Sequence, residues 1–101
     1  SPNSYRAYND LGWAYHARGD FAQAEENYRK ALAIFPAIVV WVRLCSLWEA
    51  QGRIEQASNV LERVIAQSDA LSIRHYGMQE QAGRLRRKLE GSRRRPQARA
   101  P

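Results

Sequence analysis

One cysteine, two histidines and a cluster of basic residues are the side chains here whose chemistry could exceed a structural role. Cys45 follows Leu44, one helical turn after Trp41 and three residues before Trp48. A nucleophilic thiol needs an activating base or cation beside it. Set among large apolar residues, Cys45 reads instead as a small buried hydrophobe. A lone cysteine also excludes an intramolecular disulfide framework and a multi-cysteine zinc site. His16 and His75 are far apart and fit no metal-ligand spacing with carboxylates or cysteine. The pattern places His16 on an exposed helix face and His75 at the edge of a packing stripe. No glycine-rich phosphate loop follows a strand, because no strand is evident. No catalytic, metal-ligating or cofactor-binding residue is therefore expected, and an enzyme has no support.

The basic residues are unevenly spread. Residues 1–83 carry eight Lys/Arg against nine Asp/Glu, whereas residues 84–101 carry eight Lys/Arg against Glu90 alone. The net charge of +6 thus belongs to the C-terminal segment, not to the body of the chain. Arg84, Arg86, Arg87, Lys88, Arg93, Arg94, Arg95 and Arg99 form a candidate anion-binding set for the phosphates of nucleic acid or of anionic lipid. The competing reading is a solvated helix end, where cations are favoured, followed by a polar tail. No aromatic residue follows Tyr76, so this segment lacks the stacking groups of single-strand readers.

The elements that must position these side chains are written in an internal repeat. At an offset of 33 residues, Tyr8 pairs with Trp41, Leu11 with Leu44, Gly12 with Cys45, Tyr15 with Trp48 and Gly19 with Gly52. The match continues through Ala24 with Ala57, Tyr28 with Leu61, Ala31 with Val64 and Leu32 with Ile65. Such a period signals stacked supersecondary units. Tyr8, Leu11, Gly12 and Tyr15 share one helical face, and Phe21, Ala24, Tyr28, Ala31 and Leu32 share another. Gly19 can close the first helix in a left-handed conformation. Asp20 can cap the second, with Gln23 placed for a capping box. Pro36 should stop that helix at Phe35. The second unit repeats the plan, with helices expected near 37–50 and 54–67 around Gly52. From Leu71 a stripe of Leu71, His75, Met78, Ala82, Leu85 and Leu89 predicts one amphipathic helix over about 70–90, capped by Ser68 or Asp69. Glu90-Gly91-Ser92 should end it, leaving a basic, disordered tail over 91–101. With 101 residues and 45% apolar content the chain suits one folded domain. Its longest apolar run, Ala37–Val42, is too short to cross a bilayer.

Tyr8-x2-Leu11-Gly12-x2-Tyr15, Gly19, Ala24-x3-Tyr28, Ala31 and Pro36 together resemble a full tetratricopeptide repeat. A second, looser copy has Cys45 for the small glycine and Asp69 where the proline would recur. The resemblance implies an all-α antiparallel helix-hairpin solenoid of about five helices with right-handed superhelical stacking. Repeat one would span about 4–36, repeat two about 37–69, and a capping helix about 70–90, within a domain of residues 1–90. Two repeats and a cap are a minimal array, so the chain is expected to be a piece of a longer superhelix. By position, the resemblance assigns a partner-binding groove to Arg6, Asn9, Trp13 and His16, then Val39, Val42, Ser46 and Glu49, and in the third helix Ile73, Tyr76 and Glu80. The carboxylate-gripping form of that groove is not expected, since its places hold Asn9, Trp13 and Arg43. An extended or helical peptide with apolar side chains fits better. The resulting expectation is a non-catalytic scaffold that holds a protein or peptide segment. A nucleic-acid or membrane adaptor through the basic segment, and a homodimer through exposed repeat ends, are the alternatives.

Overall fold

The structure is a computed structural model, and it describes residues 4–94. Six helices follow one another: α1 (Tyr5–Ala17), α2 (Phe21–Ile34), α3 (Ile38–Ala50), α4 (Ile54–Ala66), α5 (Ala70–His75) and α6 (Met78–Arg94). Helices α1 and α2 form one hairpin, and α3 and α4 a second. Helix α3 also lies against α2, and α6 against α4.

Each hairpin turn is built the same way. Gly19 and Gly52 adopt positive φ values of 82° and 78°. The amide of Gly19 donates to His16 O at 2.9 Å and that of Asp20 to Tyr15 O at 2.9 Å. Gly52 and Arg53 repeat these bonds to Glu49 O and Trp48 O at 3.0 and 2.8 Å. These bonds satisfy carbonyls that the helix end leaves open. Asp20 Oδ1 accepts from the Gln23 amide at 3.4 Å, the capping half of the expected box; no return bond from the Gln23 side chain occurs among the described residues. Phe35 is extended, as a residue before proline must be, and α2 stops at Ile34.

The core collects Ala24, Tyr28 and Ala31 from α2, Val40, Leu44, Cys45, Leu47 and Trp48 from α3, Ala57 and Leu61 from α4, and Met78, Ala82 and Leu85 from α6. Within the first hairpin the Tyr28 ring lies directly over Gly12. A Cβ at Gly12 would sit 2.6 Å from Tyr28 Cδ1 and Cε1. The second hairpin divides the same space as Cys45 and Leu61, a larger residue on the first helix with a smaller one on the second. A charged clamp joins the hairpins. Glu25 binds Arg29 at 2.8 Å and Arg53 at 2.9 Å, and both guanidinium groups stand over Trp48, 6.0 and 5.5 Å from its centroid.

Three expectations are corrected. The helix expected over 70–90 is two helices, because Gly77 takes φ 62° and turns the chain between α5 and α6. The turn lets Met78, Ala82 and Leu85 bury while Leu71, on the same sequence stripe, stays 73% exposed and His75 exposed. Gly91 and Ser92 do not end α6, which continues through Arg94; a tail beginning at residue 91 is therefore not seen. Leu11, expected on a packing stripe, is 46% exposed, since no helix among the described residues lies on that side of α1. At α5 the cap is Asp69, whose Oδ1 accepts from the Ser72 amide at 2.8 Å, while Ser68 Oγ donates back to Val64 O.

Replacing Gly12 by alanine should destabilise the fold by about 1–3 kcal/mol, because the ring has no room to yield without leaving its rotamer. Adding Tyr28→Leu, the pairing used in the second hairpin, should recover part of that loss. Urea denaturation of the single and double variants checks the non-additivity.

Candidate functional site

Helical spacing puts Asn9, Trp13 and His16 on one face of α1, and Val39, Val42, Arg43 and Ser46 on one face of α3. Where the two helices run side by side, the Arg43 guanidinium lies over the Trp13 ring, 4.8 Å from its centroid. The Trp13 side chain is 51% exposed, so one part of the indole is held and the rest faces solvent. His16 meets Trp13 edge-on at 5.8 Å and Phe21 edge-on at 5.7 Å. Its Nδ1 is buried without a hydrogen-bond partner, and burial lowers its pKa from 6.5, which favours the neutral imidazole near pH 7.

Asn9 is only 7% exposed, and its Oδ1 has no hydrogen-bond partner. Arg43 Nη1 and the Tyr28 hydroxyl are likewise buried and unpaired. Burial pushes the Tyr28 phenol up to about 12, with the charge of Arg43 opposing the shift. Leaving such groups unpaired costs about 1–3 kcal/mol each, so this corner of the fold holds polar capacity that the chain does not use internally. Sequence reasoning passed over Arg43 as a site residue. Its only signal was position: Val39, Arg43 and Ser46 share a helical face.

The other groove candidates are placed differently. Arg6 is exposed on α1, and Val39 and Val42 are half-buried on α3. Ser46 and Glu49 do not face an open groove, because α6 lies on them. Gln81 Nε2 donates to Ser46 Oγ at 3.2 Å and to Val42 O at 3.3 Å. Arg84 holds Glu49 with two bonds of 2.8 and 2.9 Å, and Lys88 adds a third at 2.7 Å. These bonds outweigh burial and hold the Glu49 carboxyl at about 2, well below its ordinary 4.5. Ile73 and Tyr76 are half-buried, packed against the core. Glu80 is exposed on α6.

Those ion pairs also bear on the basic segment. Arg84 and Lys88 are engaged by Glu49, and Arg86 binds Glu62 at 2.7 Å. Arg87 and Arg93 are exposed, with no ion pair among the described residues; Arg94 closes α6, and Arg95 and Arg99 lie outside the described residues. Cys45 is fully buried, and burial pushes its thiol up to about 12. No group of three His, Cys, Asp or Glu side chains suited to a metal occurs among the described residues, and no described helix is long and apolar enough to cross a membrane.

Two measurements follow from these environments. The folded Glu49 carboxyl stays ionised below the pH at which the unfolded one protonates, so its contribution to stability is present above about pH 4.5 and is lost as pH falls toward 2. Glu49→Gln should flatten the stability–pH curve across that window and leave Arg84 and Lys88 unpaired, read from urea midpoints at a series of pH values. Cys45 should react with a thiol reagent at the rate of global unfolding in native buffer, and immediately in denaturant.

Residues 5–37 match the family model described as tetratricopeptide repeat, a non-catalytic repeat that mediates protein–protein interaction. The chain is 41% identical over 59 residues to Protein POLLENLESS 3-LIKE 2 of Arabidopsis thaliana, an alignment covering 58% of this chain and 14% of that relative. The chain thus corresponds to a small part of that relative's length. Residues 5–37 thus form a tetratricopeptide repeat, and the second hairpin, at one fixed offset and with a small residue under its second helix, continues the chain as a tetratricopeptide-like helical repeat.

Proposed function

We propose that this chain is a non-catalytic interaction module that holds an extended or helical segment of another protein on the shared face of α1 and α3. The observation carrying this reading is Trp13, a half-exposed indole held against the Arg43 guanidinium and the His16 ring. An aromatic side chain already ordered before binding loses little conformational entropy when a partner covers it. Aromatic anchors next to arginine are the side chains that dominate contact energies in protein interfaces. Val39 adds apolar surface on the neighbouring helix, and Arg6 supplies charge near the start of α1. The α6 end of the face is closed by the Gln81 and Arg84 contacts, so the segment would lie toward the first half of α3. Ser46, Glu49, Ile73 and Tyr76 then act as supports rather than contacts.

A catalytic role finds no support in the environment of Cys45, His16 or His75. The pairing of Arg84, Arg86 and Lys88 with carboxylates gives no support to phosphate binding by the basic segment.

Peptides selected on the full chain from a random display library provide the test. Trp13→Ala and Arg43→Ala should each weaken the selected peptides at least tenfold, with the far-UV circular dichroism unchanged. Peptides that bind Trp13→Ala as tightly as the parent would place the contact surface elsewhere. Loss of helicity in Trp13→Ala would assign the indole to the fold instead.

A further inference from the structure

The internal repeat allows the two hairpins to be compared position by position, and they differ at the end away from their glycine turns. In the first hairpin that end is covered from within the chain. The Phe35 ring lies on Tyr5, 5.3 Å between centroids. Lys30 Nζ stands 5.7 Å from the Tyr8 centroid and is paired with Glu26 at 3.3 Å. The second hairpin keeps the floor and the cation, with Trp41 for Tyr8, Val64 for Ala31 and Arg63 for Lys30. It lacks the two groups that cover them: Ser68 stands where Phe35 would recur, and Asn59 where Glu26 would. Two adjoining recesses open there, of about 210 and 240 Å³, and both are lined by Trp41, Val64 and Gln67. The smaller lies between Ile38 and Ser68, the equivalents of Tyr5 and Phe35, and the larger runs beside Arg63. Trp41 and Val64 are half-buried, and Arg63 is exposed with no ion pair among the described residues.

We propose that the two recesses beside Trp41 form a docking site for a segment of another protein that presents an aromatic side chain next to a carboxylate. The ring enters between Ile38 and Ser68, and the carboxylate pairs with Arg63. The chain itself supplies the pattern for the ring, because a phenyl group is what the first hairpin puts in the corresponding space. An aromatic ring set against another in an apolar recess gains from geometry as well as from the area it buries. The charge argument is independent. Lys30 meets Glu26 across one helical turn, and the same spacing joins Arg63 to Asn59, so the guanidinium has lost its helical partner. A guanidinium at the rim of an apolar recess selects for a carboxylate and against a second cation. A second copy of this chain does not meet that description. The exposed Phe, Tyr or Trp side chains among the described residues are Trp13 and Phe35. Phe35 already lies on Tyr5 and has no acidic residue within three positions, and Trp13 is held by Arg43. The site uses no residue of the Trp13 face and does not depend on what binds there.

The test fills the site from within the chain. Ser68→Phe and Asn59→Glu give the second hairpin the two groups that the first already has. Ser68→Phe should leave the far-UV circular dichroism and the unfolding midpoint at their parent values. A midpoint lower by more than about 5 °C would mean that the recess does not admit a phenyl ring, and the proposal would fall. Peptides from a random display library are then selected on the parent chain and depleted on the Ser68→Phe chain. Those that remain should carry Phe, Tyr or Trp beside Asp or Glu. They should bind Ser68→Phe at least tenfold more weakly than the parent, and Trp13→Ala as tightly as the parent. Arg63→Gln and Asn59→Glu should each weaken them about threefold at low salt and make little difference at high salt. No peptide left after depletion, or peptides without an aromatic residue, would overturn the site. Peptides weakened equally by Trp13→Ala would belong to the α1–α3 face and overturn it too. Aromatic peptides indifferent to Arg63→Gln would overturn the carboxylate. A concentration-dependent dimer of the parent chain, abolished by Ser68→Phe, would overturn the assignment of the occupant by making it a second copy.

Discussion

The close approach of α1 and α2 at Gly12 sets most of what else this chain can do. With no side chain on Gly12, the Tyr28 ring lies directly on the backbone of α1, and the two helices meet face to face. That contact directs the Tyr8–Gly12–Tyr15 stripe inward and leaves Asn9, Trp13 and His16 on the adjoining face. The second hairpin meets the same requirement with Cys45 and Leu61, so total volume rather than residue identity is what the position demands. The burial that makes Cys45 a good spacer also makes it a poor nucleophile, its thiol pushed up to about 12. The close packing at Cys45 and the raised pKa of its thiol have one cause, burial.

Charge in this molecule serves mainly to join helices. Glu25, Arg29 and Arg53 bracket Trp48 where the hairpins meet, and Glu49 with Arg84 and Lys88 holds α6 across α3. Exposed pairs of this kind contribute about 0–1 kcal/mol. The Glu49 pair differs because its carboxylate is 11% exposed and gripped by both arms of one guanidinium. These pairings change the meaning of the net charge of +6. Counted along the chain, residues 84–88 look like a phosphate-binding cluster. Placed in the fold, three of its four cations face carboxylates from α3 and α4.

The two hairpins share a plan but differ in what surrounds them. The second is covered by α2 on one side and α6 on the other, and its large apolar residues are buried or half-buried. The first is covered on one side, and it carries the exposed indole of Trp13 and the exposed Leu11. Exposed apolar surface therefore concentrates in the hairpin with the fewer neighbours among the described residues, as expected when each unit of a stacked array buries its faces against adjacent units.

Local features were legible in the sequence because their causes are local. The 33-residue repeat, the positive-φ turns at Gly19 and Gly52, the stop at Pro36 and the cap at Asp20 depend on residues within a few positions of one another. The inward stripes were legible too, since helical period alone decides which side chains share a face. What the tertiary structure decided was which of those faces has a neighbour. Leu11 and Leu44 are the same residue at the same repeat position, yet only Leu44 has α2 against it. The stripe from Leu71 to Leu89 satisfies helical spacing throughout, but Gly77 is free to take a left-handed conformation and does so, dividing the segment in two. Glu49 reads as a groove residue until α6 lies across it, and Arg43 reads as a bystander until Trp13 from another helix meets it. Periodicity assigns a side chain to a face; only packing determines whether that face meets protein or solvent.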